Sequence, residues 1–212
     1  MNAHKPHILF VLLINLLFLA TPSVAFATGT LSQTCSTTSV TIPNNTPAGV
    51  TQTLNVAEGG SINDLNVTLD VTHAQVSELK VTLKHVATGT SLLLFNEPGM
   101  TSPPGCLGQN FTGFVIDDQG TGDVDLNCTT NNPAYNTSLQ YKPSDPAELA
   151  VFNGKDINGA WELNISDNFN YSTINGTLNQ WCLKYDRNSA ATMVLSPPNN
   201  TPLIFGTGSP LG

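Results

Sequence analysis

Positive charge is scarce in this sequence, where seven Lys and Arg stand against fifteen Asp and Glu for a formal net charge of −8. A polyanion binds by displacing counterions onto a basic surface, so nucleic acid is excluded as a partner. Helical periodicity is also missing, since no window repeats its apolar residues at helical spacing. Beyond Ala20 no segment is long and apolar enough to cross a membrane. Cysteine is limited to four residues and histidine to four, and only His73 and His85 lie beyond the first few residues. No nearby Cys or Asp pattern makes either histidine a zinc ligand, and a histidine that ends an apolar face reads as a hydrogen-bonded structural residue.

What is present starts with an export signal. His4, Lys5 and His7 precede an apolar run from Ile8 to Ala20, interrupted by Asn15. That run is shorter than the roughly 20 residues a span requires, and Ala25-Phe26-Ala27 places small residues at a cleavage site. Residues 1–27 therefore read as a signal peptide, residues 28–187 as one secreted or periplasmic domain, and residues 188–212, rich in Pro, Gly and Asn, as a flexible tail. All four cysteines fall in the exported part, which implies disulfides rather than a metal or redox site. Three pairings are open. The preferred one closes a local loop with Cys106 and Cys128 and joins the first and last strands through Cys35 and Cys182. N-x-S/T triplets at Asn66, Asn110, Asn164 and Asn175 are acceptors only in a cell that glycosylates its exports.

Period-two alternation recurs and predicts strands with one face in a core. Leu65, Val67, Leu69 and Val71 alternate with Asn66, Thr68, Asp70 and Thr72; Leu79, Val81 and Leu83 alternate with Lys80, Thr82 and Lys84. Trp161, Leu163 and Ile165 form a third set, and the last strand spans Leu178 to Tyr185. The run Leu92-Leu93-Leu94-Phe95 predicts a strand buried on both faces. Turn clusters at Glu58-Gly59-Gly60, Asn153-Gly154 and Asn158-Gly159 separate these pieces. Residues Glu97 to Tyr135 read as a long tethered loop with one strand, Phe111 to Ile116. The fold expected is all-β, an antiparallel β-sandwich of jelly-roll type.

Candidate chemistry is limited to an acidic loop. Asp117, Asp118, Asp123 and Asp125 surround two glycines, and such a cluster of hard oxygens suits Ca²⁺, although the spacing is not that of an EF-hand. Asp156 and Asp167 form a second candidate calcium site near the Asn158-Gly159 turn, or else cap turns through side-chain hydrogen bonds, the role favoured here. Gly89-Thr90-Ser91 imitates a serine-protease nucleophile, but Ser91 leads into an apolar strand rather than a helix, so no catalysis is expected. Trp161 and Trp181 lie in phase with aliphatic neighbours and read as core rather than as sugar-stacking platforms.

The second half carries an ordered set of motifs. Phe152-Asn153-Gly154 comes first, then Gly159-Ala160-Trp161-Glu162-Leu163, then Asp167, Gly176-Thr177-Leu178 and Trp181-Cys182-Leu183. Together they resemble the closing half of a P domain, the homo B module that accompanies subtilisin-like proteases of the proprotein convertase family. The first half is compatible, with a long strand ending in His73 and a Leu-x-Val-x-Leu strand from Leu79, so the resemblance covers about Val40 to Tyr185. Glu78 stands where the family has Asp, Lys84-His85-Val86 replaces a Ser-Pro, and the Cys106 to Cys128 insertion is long. The Arg-Gly-Asp of some members has no counterpart. The resemblance implies a galactose-binding-like β-sandwich and a non-catalytic accessory module without its protease domain. Its implied partner is a subtilisin-like protease or another exported protein, and it brings a structural calcium dependence. A carbohydrate- or cell-surface-binding sandwich module, with a glycan as ligand, is the alternative.

Overall fold

A computed structural model describes residues 29–99, 104–144, 146 and 148–188. The expected signal peptide and nearly all of the expected tail lie outside these residues. The described residues form eleven strands: β1 (Gly29–Cys35), β2 (Val40–Ile42), β3 (Thr46–Val56), β4 (Ser61–Thr72), β5 (Leu79–His85), β6 (Thr90–Asn96), β7 (Phe111–Ile116), β8 (Gly122–Asp123), β9 (Gln140–Lys142), β10 (Gly159–Asp167) and β11 (Gly176–Asn188). The described helices are two short 3-10 turns, Val76–Glu78 and Leu149–Phe152.

The strands form two sheets, one ordered β1-β11-β4-β7-β9-β8 with β2 also on β11, the other β3-β10-β5-β6. β11 is the organising strand of the first sheet. It pairs with β4 along one edge and with β1 and β2 in succession along the other. The alternation visible in β4 places Leu65, Val67, Leu69 and Val71 in the core, where they meet Trp181, Leu183 and Tyr185 of β11. Leu79, Val81 and Leu83 of β5 and Trp161, Leu163 and Ile165 of β10 complete the same buried cluster. Both indoles are fully buried.

The sandwich is not wholly antiparallel. β9, three residues just after the long loop, pairs in parallel with β7 and with the two-residue β8. Segments of two or three residues cannot display a period, which hid them from the sequence. The apolar run in β6 also differs from expectation. β6 is an edge strand, and its register with β5 slips between Val81 and Thr82. Phe95 stands opposite Val81 and Leu93 opposite Thr82, so Leu94 is one residue too many. This bulge turns Leu94 and Phe95 both inward while Leu93 stays half-buried, and the continuous run records a change of phase rather than a strand covered on two sides. β11 continues through Asn188, one residue past the expected domain end.

Disulfides join Cys35 to Cys182 and Cys106 to Cys128. The first links β1 to β11 at directly opposed positions. The second tethers the long loop. Asn66 lies within β4 and is buried, which leaves its triplet inside the folded sheet.

Candidate functional site

The strongest chemical feature is a buried polar cluster at one end of the sandwich. His73 follows β4, Glu78 closes the 3-10 turn before β5, and Asp167 ends β10; the side chains of all three are wholly inaccessible. His73 Nε2 faces Asp167 Oδ2 at 3.1 Å, and His73 Nδ1 lies 2.8 Å from the Gln75 carbonyl. Glu78 Oε2 is 4.0 Å from Nδ1. The same Nδ1 lies 3.2 Å from the Gln75 backbone nitrogen, whose N–H can donate to it. In the tautomer that accepts this bond, Nε2 carries the proton and donates to the Asp167 carboxylate.

The carboxylates are engaged on their other sides by a single loop. Glu78 Oε1 accepts from the backbone N–H of Tyr171 at 2.6 Å and of Ser172 at 3.0 Å, and Oε2 accepts from Ser172 Oγ at 2.5 Å. Asp167 Oδ1 accepts from Phe169 N–H at 3.1 Å. Burial is the main cause that pushes the Asp167 carboxyl above its usual range, opposed by the Phe169 bond and reinforced by the Glu78 charge. Buried charges are costly unless fully bonded, and here the bonds go to the backbone of residues 169–172. The cluster therefore fixes the connection between β10 and β11.

Among the described residues, His73, Glu78 and Asp167 are the only three such groups whose ligand atoms converge to within 4.8 Å. The acidic-loop residues do not converge in this way. Asp117 Oδ1 accepts from Gln119 N–H, the two oxygens of Asp118 accept from Leu149 and Ala150, Asp123 Oδ1 accepts from Asp125 and Leu126, and Asp125 Oδ1 accepts from Gly99. Each carboxylate anchors backbone. Asp64 of β4 joins the first two instead; burial, then the charges of Asp117 and Asp118, push its carboxyl up.

Asp156 and Asp167 do not form one site. The nine residues of β10 separate them by roughly 26 Å at strand rise. Asp156 Oδ1 caps its turn, accepting from Gly60 at 2.9 Å and Asn158 at 3.1 Å, and these bonds hold its carboxyl below the usual range. Asp167 also accepts a local backbone bond, but its second oxygen belongs to the histidine. His85, by contrast, is buried against Trp161 with ring centroids 4.3 Å apart and nearly parallel planes. Its Nε2 meets Asn158 O and its Nδ1 meets Thr88 Oγ1.

The proprotein convertase P-domain family matches residues 62–185. The chain belongs to that family. Among solved structures, the complex of the Aeromonas sobria serine protease with a chaperone matches at 15% identity and a TM-score of 0.45, covering 76% of this chain and 28% of that one. The serine protease of Aeromonas sobria solved alone matches at 14% identity and a TM-score of 0.44, covering 75% of this chain and 27% of that one. The present chain thus spans under a third of those chains. No curated protein sequence matches it.

The P-domain motifs gain physical meaning in the structure. Gly176 opens the Gly-Thr-Leu motif because a Cβ there would lie 2.4 Å from His73 Cδ2 and 3.1 Å from Thr72 O. The His73 ring occupies the space of a side chain. Trp161 donates its indole N–H to Ile157 O at 3.0 Å, which ties the Gly-x-Trp strand to the turn before it. Phe152 of the Phe-x-Gly turn packs on the same indole at 5.0 Å. Glu78 is long enough to reach two backbone amides of the β10–β11 loop.

Proposed function

We propose that this P domain is an exported, non-catalytic accessory module that packs against a subtilisin-like serine protease domain and stabilises it. The family match over residues 62–185 carries this reading. Two disulfides support export into an oxidising compartment. The absence of catalysis is supported by the state of the two described histidines, which are buried with both ring nitrogens engaged by Gln75 and Asp167 or by Asn158 and Thr88. Neither is free to act as a base for Ser91, which is exposed in β6 opposite Lys84.

The test uses a subtilisin-like protease stripped of its own P domain. Adding this chain in stoichiometric excess is expected to lengthen the protease's half-life at elevated temperature several-fold, as any ligand of the native state does. An unchanged half-life would remove the accessory role. Casein hydrolysis by the chain alone, abolished in Ser91→Ala, would overturn the non-catalytic reading.

Because the acidic carboxylates are engaged with backbone N–H groups, we propose that the fold holds without a cation in that loop. Melting curves with calcium and with chelator are expected to agree within about 2 °C, since binding to the native state alone would separate them. A larger fall on chelation, absent in Asp117→Asn, would place a structural calcium beside Asp117.

A further inference from the structure

The β10–β11 loop, residues 168–175, is the part of the P domain that the buried cluster holds in shape. Its sequence, Asn168-Phe169-Asn170-Tyr171-Ser172-Thr173-Ile174-Asn175, contains no charged residue. Phe169 and Tyr171 stack with centroids 5.2 Å apart and planes at 20°. Tyr171 is 51% exposed and Ile174 60%. The backbone beneath them is pinned by Asp167 and Glu78, and Asn168 Nδ2 donates to Glu97 Oε1 at 2.9 Å. A second turn braces the far side, where Asn44 Nδ2 donates to Asn170 Oδ1 and Asn44 N–H to Asn175 Oδ1. Among the described residues, the Nδ2 groups of Asn170 and Asn175 have no acceptor.

A surface loop normally keeps its large apolar side chains few and its backbone mobile. This one does neither, and two buried carboxylates are committed to its rigidity. Preorganisation of an exposed aromatic surface is what a binding site needs, because less freedom remains to be lost on association.

The chemistry of the loop selects the ligand. With no Lys or Arg it offers an anion nothing to pair with, and with no exposed carboxylate it offers a cation no counter-charge beyond the face of an aromatic ring. It presents an electron-rich aromatic face, an aliphatic side chain, and amide and hydroxyl groups around them. A neutral sugar has the matching surface, one face of polarised C–H groups and a rim of hydroxyls. We propose that the Phe169/Tyr171 loop is a binding site for neutral glycans, with Tyr171 as the stacking platform and Asn170 and Asn175 as donors to sugar hydroxyls. Its test needs no protease.

Affinity electrophoresis of the chain through gels containing a β-1,3-glucan, a galactomannan or a xylan, with alginate as anionic control, provides the test. Retardation is expected in at least one neutral gel and not in alginate. Tyr171→Ala should weaken that retardation about tenfold or more, while Tyr171→Phe keeps the ring and most of the binding. Melting temperatures of both variants should match the parent, because the side chain is half in solvent. Migration unaffected by all three neutral polysaccharides would overturn the proposal, as would retardation that persists in Tyr171→Ala or occurs only in alginate.

Discussion

Replacing His73 by alanine is expected to destabilise the P domain by about 3–5 kcal/mol, the range for removing one partner of a buried ionic contact. For a domain of this size that corresponds to a fall in melting temperature of about 6–20 °C. The variant strands Asp167 and Glu78 in the interior with no proton-bearing ring between them, and it empties the space that Gly176 leaves open. Asp167→Asn should cost far less, about 1 kcal/mol, since the amide keeps the shape and can still bond the imidazole. Thermal unfolding of the two variants side by side checks this. Equal and small losses would mean that the cluster is not a coupled unit.

The pair differs in pH response as well. The Asp167 carboxyl titrates above its unfolded value of 3.8, chiefly through burial. Between the unfolded and folded values the native state therefore binds protons that the unfolded chain has released. This group's contribution to stability is full below the unfolded value and is lost as pH rises through the folded value. Asp64 acts in the same direction, whereas Asp156, held low by Gly60 and Asn158, acts in the opposite one. His73 and Glu78 face Asp167 and stay in place in Asp167→Asn. The melting-temperature difference between parent and Asp167→Asn should thus shift in favour of the parent as the medium is acidified toward the unfolded value of 3.8. A difference that is constant across the range would refute the assignment.

How much of this was legible in the sequence depends on the range of the interaction. The period-two face of β4 and the core positions of Trp161 and Trp181 are local patterns, and a pattern of alternate residues survives folding unchanged. β3 carries the same alternation, but the inward position between Val50 and Leu54 is Gln52, whose amide N–H donates to Thr38 O at 2.6 Å and whose polarity breaks the apolar pattern. The polar cluster is a long-range object. His73 and Asp167 are 94 residues apart and meet only because β4 and β10 end at the same end of the sandwich. Glu78 and His73 flank one turn, and that spacing was the one local hint of a shared site. The acidic loop shows the same limit: Asp density in sequence does not specify convergence in space, and each of these carboxylates accepts from its own backbone amides. The uncharged stretch 168–175 was visible as composition, yet its rigidity comes from residues far away in the chain.

The two tryptophans were equivalent in sequence, and the structure separates them. Trp161→Ala is expected to cost about 3–5 kcal/mol, since the indole is fully buried between Phe152 and His85. The informative variant is phenylalanine at each position. Trp161→Phe removes the donor to Ile157 O and leaves a buried carbonyl unsatisfied, a penalty of about 1–3 kcal/mol beyond lost volume. Trp181 is equally buried, but its indole nitrogen has no acceptor among the described residues. Trp181→Phe loses volume while removing an already unpaired polar group, so the two effects partly offset. Denaturant midpoints should therefore place Trp161→Phe below Trp181→Phe by at least about 1 kcal/mol. The reverse order would mean that the Ile157 bond contributes nothing and that the indoles differ only in packing.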